Sequence, residues 1–145
     1  MRWLDAGAVV GIELSQINVA SFQQMWPKIA ADVEALAEVS HGRLLAADIA
    51  LAVLKNEMQL WIATGEVSSG LMLTEIVNHP RQRDAHIISA TGHNADRWVA
   101  LWPQFEEWAR ANRCAVAMAR CRLGWKKLLT PLGFDQLSIV VEKRL

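Results

Sequence analysis

The stretch IISATGHNADRW, from Ile87 to Trp98, holds the parts from which proteins build phosphate cradles: an apolar run, a glycine, and a polar turn opening a helix. Glycine lets backbone N–H groups come close to an anion, and a helix N-terminus adds favourable partial charge. Gly92 is the single glycine in the stretch, with His93 and Asn94 as polar donors and Arg97 able to reach back from the first turn. Asp96 opposes them. Like charges in contact within a low-dielectric cleft cost on the order of several kcal/mol. The expectation is a poor diphosphate cradle, better described as an Asn-capped turn.

Other reactive side chains are sparse. The four histidines, His41, His79, His86 and His93, form no i, i+4 pair and no H-x-H, so no metal site is expected. Cys114 and Cys121 stand seven apart, a spacing foreign to metal ligation, and two thiols make a poor disulfide framework. They are expected to be small buried hydrophobes in a reducing compartment. Arg120, Arg122, Lys126 and Lys127 cluster on a short segment that would suit a nucleic-acid backbone or an acidic protein partner. A solvated surface is the simpler reading, and no recognised nucleic-acid motif accompanies them.

The elements that must position these residues follow from periodicity. GIELSQIN reads as a first strand. Trp26, Ile29, Val33 and Leu36 then recur at helical spacing, with Ser21 as the expected N-cap and Gly42 as the stop. A second helix is expected from about Leu44 to Asn56, with Leu45, Ile49 and Val53 on one face. QLWIATG and SSGLMLTEIV return to period two and read as a hairpin, ended by His79-Pro80, with AHIISATG as a third neighbour. A long helix from Asn94 to Asn112 carries Trp98, Leu101, Trp102, Phe105, Trp108 and Ala109 on its apolar face. Pro103 must kink that helix or mark a late start. AVAMARC reads as a strand, GWKKLLTPLGF as a short helix closed by Gly133, and DQLSIVVEKRL as a final strand.

The order β-α-α-β-β-β-α-β-α-β predicts an α/β fold: a mixed, mostly antiparallel sheet flanked by about four helices. A chain of 145 residues suits a single domain spanning 1–145, and no linker or repeat divides it. No apolar run approaches the roughly 20 residues of a membrane span. MRWLDAG lacks the pattern of a signal peptide, so a protein that is not secreted is expected. The seven tryptophans fall mostly on helix faces or strand interiors and are expected in the core. Net charge is zero, yet residues 1–75 hold four basic against nine acidic side chains, and residues 76–145 eleven against six. Such asymmetry marks either an anion-binding face or two ends of the chain that pack together.

This element order resembles the GNAT fold of the N-acetyltransferase superfamily. The stretch EEWARANRCAVAMARCRLGWKKLLTPLGF is also similar to the helix, strand, GRxGW turn and final helix ending in GF of small GNAT-like proteins encoded by tailed bacteriophages. Arg122, Gly124, Trp125, Gly133 and Phe134 agree with that pattern, while Cys121 stands where it has glycine. The element order covers nearly the whole chain, the motif only about its last forty residues.

The resemblance implies an acetyl-CoA site in a split between the fourth and fifth strands, with the pyrophosphate on a Q/R-x-x-G-x-G/A loop. TGHNADRW is the corresponding stretch and lacks the second glycine. The coenzyme-binding positions would be Ile88, Ala90, Gly92, His93, Asn94 and Arg97, and Arg120, Arg122, Lys126 and Lys127 would flank the adenosine 3′-phosphate. Many acetyltransferases of this fold use a tyrosine on the last helix as the acid for the departing thiolate, and this chain has none. The general base implied is Glu75, whose pKa an apolar strand face would raise by desolvation. A solvated or Arg-paired Glu75 is the alternative. The expectation is therefore a pseudoenzyme: a GNAT-fold binding or assembly protein with no cofactor favoured, virion-associated or in the host cytoplasm. Its partner would be a protein, its own copies or a phage particle, with no membrane and nucleic acid disfavoured. The alternative is an acetyl-CoA-dependent N-acetyltransferase using Glu75.

Overall fold

The computed structural model describes residues 13–65, 69–93 and 95–145, and of residues 69, 93 and 95–97 the backbone alone. Strands β1 (Glu13–Gln16), β2 (Gln59–Thr64), β3 (Ser69–Asn78) and β4 (Arg83–His93) form an antiparallel meander in chain order. Strand β5 (Val116–Ala119) adds to β4 in parallel, after the crossover that a parallel pair requires. Helices α1 (Val19–Glu38), α2 (Ala46–Leu54), α3 (Trp102–Ala111) and α4 (Leu123–Leu129) flank the sheet. This is the mixed α/β architecture that the alternation of periods predicts.

Because strand side chains alternate, the sheet feeds two cores. On one face Leu60, Leu71 and Leu73 meet Ile29, Val33 and Leu36 of α1 and Ile49 and Val53 of α2. On the other, Trp61, Met72 and Ala85 meet Phe105 and Ala109 of α3. Trp61 lies edge-on to Phe105 at 5.8 Å and to Trp108 at 5.0 Å, geometries that aromatic quadrupoles favour. Its indole N–H donates to Thr74 Oγ1 at 2.9 Å, and Thr74 donates on to Gln59 Oε1 at 3.0 Å. Of the seven tryptophans, Trp61 is in the core and Trp26, Trp98, Trp102 and Trp108 pack against it, partly buried; Trp125 is half-buried away from these clusters, and Trp3 lies outside the described residues.

Several boundaries differ from expectation. The cap of α1 is Asn18: its Oδ1 accepts from Ser21 N–H at 2.8 Å, so Ser21 is the third helical residue. Both residues are cap-competent and three apart, and the helix takes the earlier one because Ile17 must already be buried. Gly42 lies in the turn beyond the end of α1, at φ +83°. Pro27 sits inside α1 on its exposed side, where water can take the freed carbonyl. Helix α2 is shorter than Leu44–Asn56. The long helix divides: Ala95–Leu101 is a 3₁₀-helix, and α3 starts at Trp102 with Pro103 in its first turn, where a missing N–H costs nothing.

The final strand does not form. Residues 135–145 carry no regular structure, and Leu137, Ile139, Val140 and Val141 are exposed. Alternation describes a strand's two faces but supplies no edge to pair with, and the sheet order ends at β5. The segment instead runs back to the α1–α2 turn, where Glu142 pairs with Arg43 at 3.4 Å. The cysteines also depart from expectation: Cys114 is half-buried, and Cys121 is exposed in the loop that leaves β5.

Candidate functional site

Strand β5 pairs with β4 only over Asp84–Ile87, whereas β4 continues to His93. Beyond Ile87, where β5 ends at Ala119, the outer edge of β4 has no strand partner among the described residues. The β3–β4 register shifts at the same level: Thr74 opposes Ile87 and Leu73 opposes Ser89, leaving Ile88 as the extra residue of a bulge. A bulge bends the strand and adds local twist at the level where its pairing with β5 stops.

Of the expected coenzyme positions, Ile88, Ala90, Gly92 and His93 lie along this upper half of β4, and Arg97 lies in the 3₁₀-helix after it. Ile88 packs against the α1 core and Ala90 against the α3 core, so their side chains serve opposite faces. Gly92 lies within the strand rather than in a loop, opposite Gly70 of β3, at φ +154°. A Cβ on Gly70 would lie 2.1 Å from the Thr91 carbonyl, 2.4 Å from Trp98 Cζ2 and 2.7 Å from Gly92 Cα. The two glycines thus let the strands and the Trp98 indole close on one another. Asn94 and the side chains of His93 and Arg97 lie outside the described residues.

Glu75 is half-buried on β3, directly opposite His86 and close to the bulge. No Arg pairs with it in the salt bridges among the described residues. By alternation it shares the α1 face with Leu73, while Thr74 turns to Trp61 on the other. Burial raises the Cys114 thiol, with Arg83 opposing and Asp84 reinforcing, and partial desolvation raises Cys121. Raised thiols stay protonated near neutrality and make poor nucleophiles. Arg120, Arg122, Lys126 and Lys127 are all exposed; Lys126 donates to Gln136 Oε1 at 3.1 Å.

Two features escape a reading by sequence spacing. Ser89, 7% exposed beside the bulge, has a buried hydroxyl with no hydrogen-bond partner. At the other end of the same hairpin, His79, Asp84 and His86 bring their ligand atoms within 4.8 Å of one another. The signal for the second was Asp84-x-His86, a pair that shares one face of a strand, beside a histidine across a short turn.

The fold has close counterparts among solved structures. An aminoglycoside acetyltransferase from an uncultured soil metagenomic sample superposes with a TM-score of 0.67 at 13% identity, covering 92% of this chain and 98% of the other. A GCN5-related N-acetyltransferase from Ralstonia eutropha gives 0.66 at 10% identity, covering 92% and 99%. A predicted acetyltransferase with acetyl-CoA from Clostridium acetobutylicum gives 0.65 at 9% identity, covering 92% and 96%. No protein-family model matches the chain, and no curated protein does. The chain has the GNAT fold. At these identities the likeness establishes architecture and leaves the chemistry to the residues.

Proposed function

We infer that this GNAT-fold chain is a non-catalytic binding or assembly protein whose acyl-CoA apparatus is reduced. One observation carries the reading: Gly92, the single glycine of the expected cradle, is taken up in the β3–β4 ladder opposite Gly70. The segment after it begins as a 3₁₀-helix, whose end groups are more poorly aligned than those of an α-helix. The absence of tyrosine removes the usual thiolate acid of the resembled family. The partner is a protein, and the resemblance to phage-encoded chains makes a virion component the first to test.

A second reading has its own support. The unpaired outer edge of β4 beyond Ile87, the bulge at Ile88 and a half-buried Glu75 nearby are arranged as an N-acetyltransferase would need them. Thermal denaturation with 1 mM acetyl-CoA separates the two. A dissociation constant near 10 μM would stabilise the chain by about 2.7 kcal/mol, a rise of roughly 8–10 °C at this size. No shift is expected. A rise of several degrees, lost together with turnover of an amine substrate in Glu75→Gln, would establish the enzyme instead.

A further inference from the structure

We propose that His79, Asp84 and His86 form a binding site for a divalent transition-metal ion, with zinc the best fit, at the tip of the β3–β4 hairpin. The three residues lie within eight positions of one another. Strand β3 ends at Asn78 and β4 begins at Arg83, and the His79 N–H donates to the Gln82 carbonyl at 2.8 Å, closing the turn. That turn carries His79 back over β4, where Asp84 and His86 share a face. His79 Nε2 stands 3.2 Å and His86 Nε2 3.6 Å from the same oxygen, Asp84 Oδ2. Ligands bonded to zinc at about 2.0–2.1 Å in a tetrahedron lie about 3.3 Å apart, so both separations match its edges.

The surroundings support a cation. Asp84 is 2% exposed, and a buried carboxylate requires a compensating charge or a full set of hydrogen bonds. Its other oxygen, Oδ1, accepts from Gln82 Nε2 at 2.8 Å, which fixes the carboxylate with Oδ2 turned toward the imidazoles. His86 Nε2 is buried without a hydrogen-bond partner, a donor atom aimed at the point of convergence. His79 is 44% exposed, leaving a fourth position open to water from the solvent side. Two imidazoles and one carboxylate suit zinc and its neighbours, and disfavour calcium and magnesium, which take oxygen ligands. Glu75, opposite His86, places one further carboxylate beside the site.

The test is zinc titration of chelator-treated protein by calorimetry, with cobalt substitution read by its visible absorption. One ion per chain with a micromolar or tighter dissociation constant is expected, together with the intense absorption of a tetrahedral cobalt centre. His79→Ala, at an exposed turn position, is expected to fold and to weaken binding at least tenfold. His86→Gln should do the same, and His79→Ala decides alone where His86→Gln fails to fold. Cys114→Ser combined with Cys121→Ser should leave binding unchanged. No uptake by the wild-type chain, or uptake indifferent to His79→Ala, would overturn the proposal.

Discussion

Gly70→Ala tests the packing on which the functional reading stands. The added methyl would lie 2.1 Å from the Thr91 carbonyl oxygen and 2.7 Å from Gly92 Cα, both backbone atoms of the paired strand, and 2.4 Å from Trp98 Cζ2. Separations below 3 Å require movement, and backbone held in a ladder cannot rotate away as a side-chain tip can. Either β3 and β4 separate at this pair or Trp98 leaves its seat against Leu101 and Ala63. Overpacking of this kind costs typically about 1–3 kcal/mol, and two backbone collisions place this case at the upper end. About 3 kcal/mol corresponds to a loss of roughly 10 °C in melting temperature for a chain of this size. Gly124→Ala is the matched control, since nothing lies within 4 Å of its Cβ and the position is helical. It should be neutral or stabilising by up to about 1 kcal/mol. Circular-dichroism melts of the two variants provide the comparison. A Gly70→Ala chain as stable as wild type would refute the close Gly70–Gly92 approach, and with it the argument that Gly92 is occupied in the ladder.

Thr74→Val keeps the side-chain volume but removes the acceptor for the buried Trp61 indole N–H. It is expected to cost about 1–3 kcal/mol in urea denaturation, because the orphaned donor has no water to turn to. Asn18→Ala should cost about 1 kcal/mol through loss of the α1 cap, and Ser21→Ala distinctly less. The reverse ranking would place the cap at Ser21.

The fold was legible wherever a pattern involves one element and its own burial. Leu71, Leu73 and Met72 alternate because their strand is covered on both faces, and Ile29, Val33 and Leu36 repeat at helical spacing because one stripe of α1 is covered. What depends on pairing was not legible. Leu137, Ile139 and Val141 alternate as a strand would, yet they stay exposed and pair with no strand among the described residues. The point where β4 and β5 stop pairing, at Ile87 and Ala119, is likewise something periodicity does not encode. Of the candidate site, Glu75 and the β4 segment were found by analogy of position. The His79–Asp84–His86 group is not legible as a histidine spacing, because it forms only when the chain folds back after His79 and includes a carboxylate.

Strand β4 has two halves that differ in their pairing. Its lower half, Asp84–Ile87, is paired on both sides, so its side chains are held in place and a buried Asp84 can be gathered with two imidazoles. Its upper half is paired only with β3, and there a phosphate loop would need backbone free to face an anion. In this chain that half is an extended strand as far as His93, sealed by a glycine pair that draws Trp98 inward. The ladder takes up the N–H groups that face β3, and the Trp98 indole occupies the space beside Gly70. The two halves are therefore separable: an ion at the hairpin tip leaves the acyl-CoA question untouched, and an empty cleft leaves the ion site intact. A single variant that abolished both would show that the bulge at Ile88 couples them.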